Sequence, residues 1–253
     1  MLLLTSTRYD HSLLRLRFNN YNDEPSPFLL LRFHLDRLSQ ASTQHDWPQA
    51  ASVLSYEALL TVCQAAVASH DGEYHALRVR ITLSQTGELA ATTIAIPALH
   101  SDPTAASFAR PLTDSATLYG PPMKLYIDTE PTPFLGLLST TKTTERGAYN
   151  DARSRAGLSD GSFDSDVLLY NSDEHITEAS VFNVAVFRQG EWITPPAASG
   201  CLPGVLRRWL LQNKRIREAG VGEITKSQMH ANDWVLLFNS AHGCRLARVT
   251  ISS

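Results

Sequence analysis

Cysteine is scarce in this chain: Cys63, Cys201 and Cys244 stand far apart among 253 residues, without a CxxC pair or an even set. That excludes a disulfide framework and suits a reducing compartment. Long apolar runs are also missing. The opening MLLL is broken at once by polar residues, too short for the core of a signal peptide. No segment nears the ~20 apolar residues that cross a bilayer. Excess charge of one sign is absent too, since 22 Lys and Arg face 25 Asp and Glu for a net −3. Neither nucleic acid nor an anionic membrane is therefore expected as a partner, and the expected location is cytoplasmic. His75, His100, His175, His230 and His242 show no metal-ligand spacing with the cysteines. No P-loop, GxSxG or GxGxxG falls in a suitable strand–helix context.

What is present is an ordinary globular composition, 43% apolar and 19% charged, with enough length to bury a real core in one large or two modest domains. Leu14, Leu16 and Phe18 alternate with polar residues, and 28–33 is an apolar β-rich run, so both read as strands. Segments 34–44 and 55–69 carry helical spacing. Segments 77–83 and 89–96 flank a QTGE turn and read as a hairpin. Seven prolines lie between Pro97 and Pro133, which marks a connection between domains, with only 124–128 strand-like. Beyond it, 142–156 reads as a helix. Strands are expected at 167–170, 179–187, 192–194, 234–238 and 245–251, and a second helix at 204–217. Arg207, Arg208, Lys214, Arg215 and Arg217 crowd that last helix, a pattern that ordinarily marks a solvated face. The expected division is a small α+β domain at 1–120, a linker at 121–136 and a C-terminal domain at 137–253.

The chemistry is concentrated in EASVFNVAVFRQGEWITPPAASGCLPGVLRR, residues 178–208. A carboxylate, an apolar strand, a Thr-Pro-Pro turn and a Gly-rich helix start follow in order. A carboxylate suits a protonated pyridine nitrogen, and the unsatisfied amides of a helix start suit a phosphate. This order resembles the signature of class IV pyridoxal-phosphate enzymes. The blocks FHLDRL, LRVRITLSQTGEL, KTTERGAYNDAR and VLLFNSAHGCRLARV resemble the fungal aminodeoxychorismate lyases within that class. The resemblance implies fold-type IV: a small N-terminal α+β domain, a larger mixed α/β domain around a curved sheet, and the cofactor in the cleft between them. It also implies a homodimer.

Alone, Lys142 in a polar stretch reads as a surface lysine. The resemblance makes it the cofactor lysine, holding pyridoxal 5′-phosphate as an aldimine and abstracting a proton once freed. It lies 36 residues before Glu178, about the family separation. Glu178 would face the pyridine nitrogen. Asn183, at the family interval from it, has either a direct or a structural role. Val205 and Leu206 would offer backbone amides to the phosphate, and many relatives have Thr where this chain has Leu206. Arg37, a helix-surface arginine by pattern alone, matches the family arginine that grips the phosphate. Ser240, otherwise a turn serine, falls where relatives place a further donor. His34 is expected to pack or cap. Arg8, Arg78 and Arg146 are candidates for substrate carboxylates, with hydroxyls from Thr7, Tyr9 and Tyr149. The implied activity is cleavage of 4-amino-4-deoxychorismate to 4-aminobenzoate and pyruvate. The alternative is a class IV transaminase acting on a D-amino acid, a branched-chain amino acid or an amine.

Overall fold

The computed structural model describes residues 1–99, 101–159 and 164–251. They form two compact units, 1–102 with 141–145, and 103–140 with 146–253. This differs from the expected spans. Residues 103–120 go with the second unit, the expected linker holds a paired strand, and the short Lys142 segment goes with the first unit.

The first unit is a three-stranded antiparallel sheet covered by helices. Its strands are β1 (Leu3–Tyr9), β2 (Ala76–Leu83) and β3 (Leu89–Ile96), in that order. The helices are α1 (Leu31–Gln44), α2 (Pro48–Ser52) and α3 (Tyr56–Ala68). Leu77, Val79, Ile81 and Leu83 alternate along β2 and bury one face against Leu35, Leu38, Leu59 and Cys63. Each such side chain removed from water contributes roughly 1.5–3 kcal/mol. Ser55 caps α3 by accepting from Ala58 N (3.0 Å), as expected of an N-cap serine.

Two expected strands are absent. The 14–18 alternation lies in two 3-10 turns, His11–Arg15 and Arg17–Asn19, because Asp10 Oδ1 accepts from Ser12 N (2.9 Å) and starts a turn. The 28–33 run makes one bridge, Tyr9 with Phe28, and then enters α1. Asn19 stops the strand there. Its Nδ2 donates to Ser26 O and Phe28 O, and its Oδ1 accepts from Leu30 N, which sits at φ +53°.

The second unit is built on an eight-stranded mixed sheet. Its elements are β4 (Met123–Ile127), α4 (Leu137–Thr140), α5 (Gly147–Arg155), β5 (Ser165–Tyr170), β6 (Ile176–Ala179), β7 (Asn183–Arg188), β8 (Glu191–Thr194), α6 (Val205–Gln212), β9 (Arg217–Glu218), β10 (Trp234–Asn239) and β11 (Gly243–Thr250). The strand order is β6-β5-β4-β11-β10-β7-β8-β9. β4 lies parallel to both β11 and β5. Leu125, Val184, Val186, Val235 and Leu237 form its centre. Trp234 to Phe238 are all buried, which is why that stretch reads as an unbroken apolar run.

Three expected elements differ in extent. The 142–156 helix is only α5, since Thr141 to Thr144 are β-branched apart from Lys142 and Lys142 to Thr144 run extended beside β1. Leu4 N donates to Lys142 O (2.8 Å) and Thr144 N to Leu2 O (3.0 Å). The 179–187 strand is cut by a turn in which Ala179 N donates to Phe182 O (2.8 Å). The 204–217 helix stops at Gln212. Lys214 takes φ +54°, Lys214 N donates to Leu211 O and Arg215 N to Leu210 O. That is a Schellman end with lysine where glycine is usual.

Candidate active site

Glu178 sits near the end of β6, only 6% exposed. Its Oε1 accepts from the Tyr149 hydroxyl (2.8 Å) and from Leu202 N (3.3 Å), and its Oε2 accepts from Asn183 Nδ2 (3.3 Å). Asn183 opens β7, five residues on, because the 179–182 turn reverses the chain and brings the two side chains together. The same Asn183 Nδ2 donates to Leu202 O (2.8 Å). Leu202 is therefore tied at both its amide and its carbonyl.

That tie reaches the start of α6. Gly204 N donates to Leu202 O (2.8 Å), and Gly204 precedes Val205 as the helix cap. A Cβ on Gly204 would collide with Asn183 Oδ1, so glycine is required there by space rather than by backbone angle. The first bond of the helix runs from Arg208 N to Gly204 O, which leaves the Val205 and Leu206 amides without acceptors inside the helix. Arg207 stabilises the approach, with Nη2 donating to Pro195 O (2.7 Å) and pairing with Glu218 (2.5 Å). Burial, the dominant effect, pushes the Cys201 thiol up to about 12, and it donates weakly to Pro195 O and Pro196 O.

Ser240 follows β10, whose Phe238 pairs with Asn183. Its side chain is buried, and among the described residues its hydroxyl has no hydrogen-bond partner. Arg146 and Tyr149 belong to the start of α5. Arg146 Nη2 donates to Ser180 O (2.8 Å), and its guanidinium lies 4.9 Å from the Tyr149 ring centre. Buried Asp166 braces the same turn, accepting from Val181 N (3.2 Å) and pairing with Arg153 (3.4 Å).

Lys142 and Arg37 lie in the first unit, and both push the pKa of His34 down, after burial itself. His34 is fully buried and held neutral. Thr5 Oγ1 accepts from Arg37 Nη2 and shares a hydrogen bond with His34 Nδ1 (2.6 Å). Burial lowers the Arg37 guanidinium to about 10, still charged at neutral pH. Its Nε is sealed from solvent with no hydrogen-bond partner among the described residues. An unsatisfied guanidinium nitrogen is a donor awaiting an anion.

Arg8 is committed elsewhere. It is 2% exposed, paired with Asp10 (2.9 Å) and bonded to Pro97 O. Arg78 lies opposite it in the β1–β2 register, on the sheet face away from the helices. Thr7 donates to Leu29 O (2.8 Å), and Tyr9 bonds His11. The sequence named Tyr149 as a hydroxyl for substrate but did not foresee its bond to Glu178. It also missed Thr5 and the bracing by Leu202, for which only the family spacing of Glu178 and Asn183 gave a signal. Among the described residues no group of three or more His, Cys, Asp or Glu is arranged to hold a metal, and His100 lies outside them. No described helix is long and apolar enough to cross a membrane.

Residues 16–249 match the family model described as amino-transferase class IV. The chain belongs to that family. Over 101 residues it is 43% identical to a Schizosaccharomyces pombe protein named "Putative aminodeoxychorismate lyase", covering 39% of this chain and 42% of that one. Over 118 residues it is 31% identical to a Saccharomyces cerevisiae protein named aminodeoxychorismate lyase, covering 41% of this chain and 31% of the other. The chain thus covers less than half the length of either yeast relative. Two solved structures show the class IV fold. One is a Mesorhizobium loti protein whose name is that of an amino-acid aminotransferase (TM-score 0.65, 22% identity, 99% of each chain). The other is 4-amino-4-deoxychorismate lyase from Pseudomonas aeruginosa (TM-score 0.63, 17% identity, 100% of this chain and 83% of that one). The expected fold-type IV architecture is borne out.

Proposed function

We propose that this class IV protein is a pyridoxal-phosphate-dependent lyase that converts 4-amino-4-deoxychorismate to 4-aminobenzoate and pyruvate. The observation that carries the reading is the hydrogen-bonded piece running from Glu178 through Asn183 and Leu202 to the first amides of α6. It joins a carboxylate to a ready anion site.

Within the second unit, the Val205 and Leu206 amides and the Ser240 hydroxyl would serve a dianionic phosphate. The family resemblance adds Arg37 of the first unit, whose Nε is unsatisfied among the described residues, as the cation for it. Amides do not depend on side chain, so Leu206 in place of the common threonine removes one hydroxyl and keeps the backbone contact. Glu178, ringed by donors that favour its charged form, would hold the pyridine nitrogen protonated. When bound, pyridoxal phosphate supplies an electron-withdrawing ring that accepts the charge left by proton removal next to the substrate nitrogen. Lys142 would hold the cofactor at its aldehyde carbon, and once the substrate amine displaced it, its freed amine would take the proton from the substrate carbon bearing the amino group. Arg146 and Arg78 are the arginines proposed to meet substrate carboxylates, whereas Arg8 is already used by Asp10. A homodimer in the cytosol completes the reading, in keeping with three free cysteines.

The test has two parts. Borohydride reduction of the cofactor-loaded protein should fix a label on Lys142, and a label on another lysine would overturn the assignment. Aminodeoxychorismate should yield fluorescent 4-aminobenzoate with no amino acceptor present. Keto acid formed only when an acceptor is added would identify a transaminase instead.

A further inference from the structure

Burial alone would favour a neutral Glu178, and a neutral acid cannot pair with a protonated pyridine nitrogen. Its charge must come from its neighbours. Three of the donors that reach it differ in quality. Asn183 Nδ2 stands at 3.3 Å and is shared with Leu202 O at 2.8 Å. Leu202 N stands at 3.3 Å. The Tyr149 hydroxyl stands at 2.8 Å and, among the described residues, has no other acceptor.

The phenol is secure as a donor. Burial, and then Glu178 itself, push its pKa far above the ordinary tyrosine range. Its ring is held by the Arg146 guanidinium, which Ser180 O fixes in turn. Among the titratable groups that face this pair are Arg146, charged although burial lowers it, and the neutral Cys201 thiol. Asn183 and Leu202 contribute neutral donors.

We propose that Tyr149 is a positioning residue for Glu178, its hydroxyl fixing the orientation of the carboxylate and keeping it ionised near neutral pH. This rests on the proposed cofactor reading only for the identity of the group that Glu178 then serves. It gives Tyr149 a different task from contact with substrate.

The experiment needs no turnover. Protein labelled with 13C at the glutamate carboxyl is titrated without cofactor, Glu178 being assigned with Glu178→Gln. In Tyr149→Phe the Glu178 midpoint should rise by about one pH unit, the size expected when a hydrogen bond to a charged group is lost. An unmoved midpoint overturns the proposal. Should the phenylalanine variant fail to fold by circular dichroism, 3-fluorotyrosine at 149 carries the test. It is a stronger donor of nearly equal size and should lower the midpoint; an unmoved midpoint again overturns the proposal. With pyridoxal phosphate added, the acid limb of the visible band should move with the Glu178 midpoint. A moved midpoint with an unmoved band would reduce Tyr149 to a structural contact and also overturn the proposal. An unlabelled Lys142 in the parent protein would sink the cofactor reading, a failure distinct from an unmoved apo midpoint.

Discussion

Replacing Gly204 with alanine isolates the joint between Glu178 and the start of α6. Gly204 has φ −66° and ψ 148°, angles any residue adopts, so the added methyl brings no backbone strain. The whole cost is steric, because the new Cβ would overlap Asn183 Oδ1. The side chain of Asn183 must swing away and give up its bonds to Leu202 O and Glu178 Oε2. The neutral bond is worth about 1 kcal/mol, and the longer one to the carboxylate a similar amount. An amide left buried without partners adds a further ~1–3 kcal/mol. The expected loss is about 3–5 kcal/mol, or a fall in Tm of roughly 6–20 °C for a chain of this size. Thermal unfolding of Gly204→Ala, Asn183→Ala and the double variant checks it. Once Asn183 is shortened the methyl has room, so the double variant should be about as stable as Asn183→Ala alone, a coupling of about 2 kcal/mol or more. Additive losses, or an undisturbed Gly204→Ala, would refute the steric reasoning.

Arg37→Gln should weaken pyridoxal phosphate binding about 10–100-fold by fluorescence titration, while pyridoxal lacking the phosphate binds as before. Gly243→Ala should destabilise by about 2 kcal/mol or more in urea, since its φ is +69° and the new Cβ would press on Pro103 O at 2.6 Å. Asp10 gives a pH prediction. Burial raises its carboxyl pKa, but donation from Ser12 and then Arg8 outweighs that and holds it below the usual range. Its stabilisation is therefore complete above the unfolded value of about 3.9 and is lost as pH falls through the lower folded value. Asp10→Asn, which takes the Asp10 charge away from buried Arg8, should cost about 3–5 kcal/mol at neutral pH and flatten the acid limb of the stability curve.

Local rules read well wherever the signal is local. Ser55 announces α3, and the QTGE turn with period-2 flanks announces the β2–β3 hairpin. They fail where a distant partner decides. The Leu14–Phe18 alternation is that of a strand, yet Asp10 starts a turn ahead of it. The 28–33 run is strongly β-prone, yet Asn19 takes the hydrogen bonds a neighbouring strand would have made. Lys214 ends α6 in a conformation that composition would assign to glycine. At the site, the link between Glu178 and Asn183 was legible through the family interval, and the 179–182 turn supplies its physical reason. The bond from Tyr149, 29 residues away, had no local signature. Neither had the placement of Lys142 beside Leu4, since a strand partner 138 positions away leaves no trace in either segment.

That last contact links β1 to the Lys142 segment. Leu2 and Leu4 hold the backbone at Lys142 and two residues beyond it. Shortening Leu4 would therefore disturb two things together, the buried edge of β1 and the main chain at Lys142.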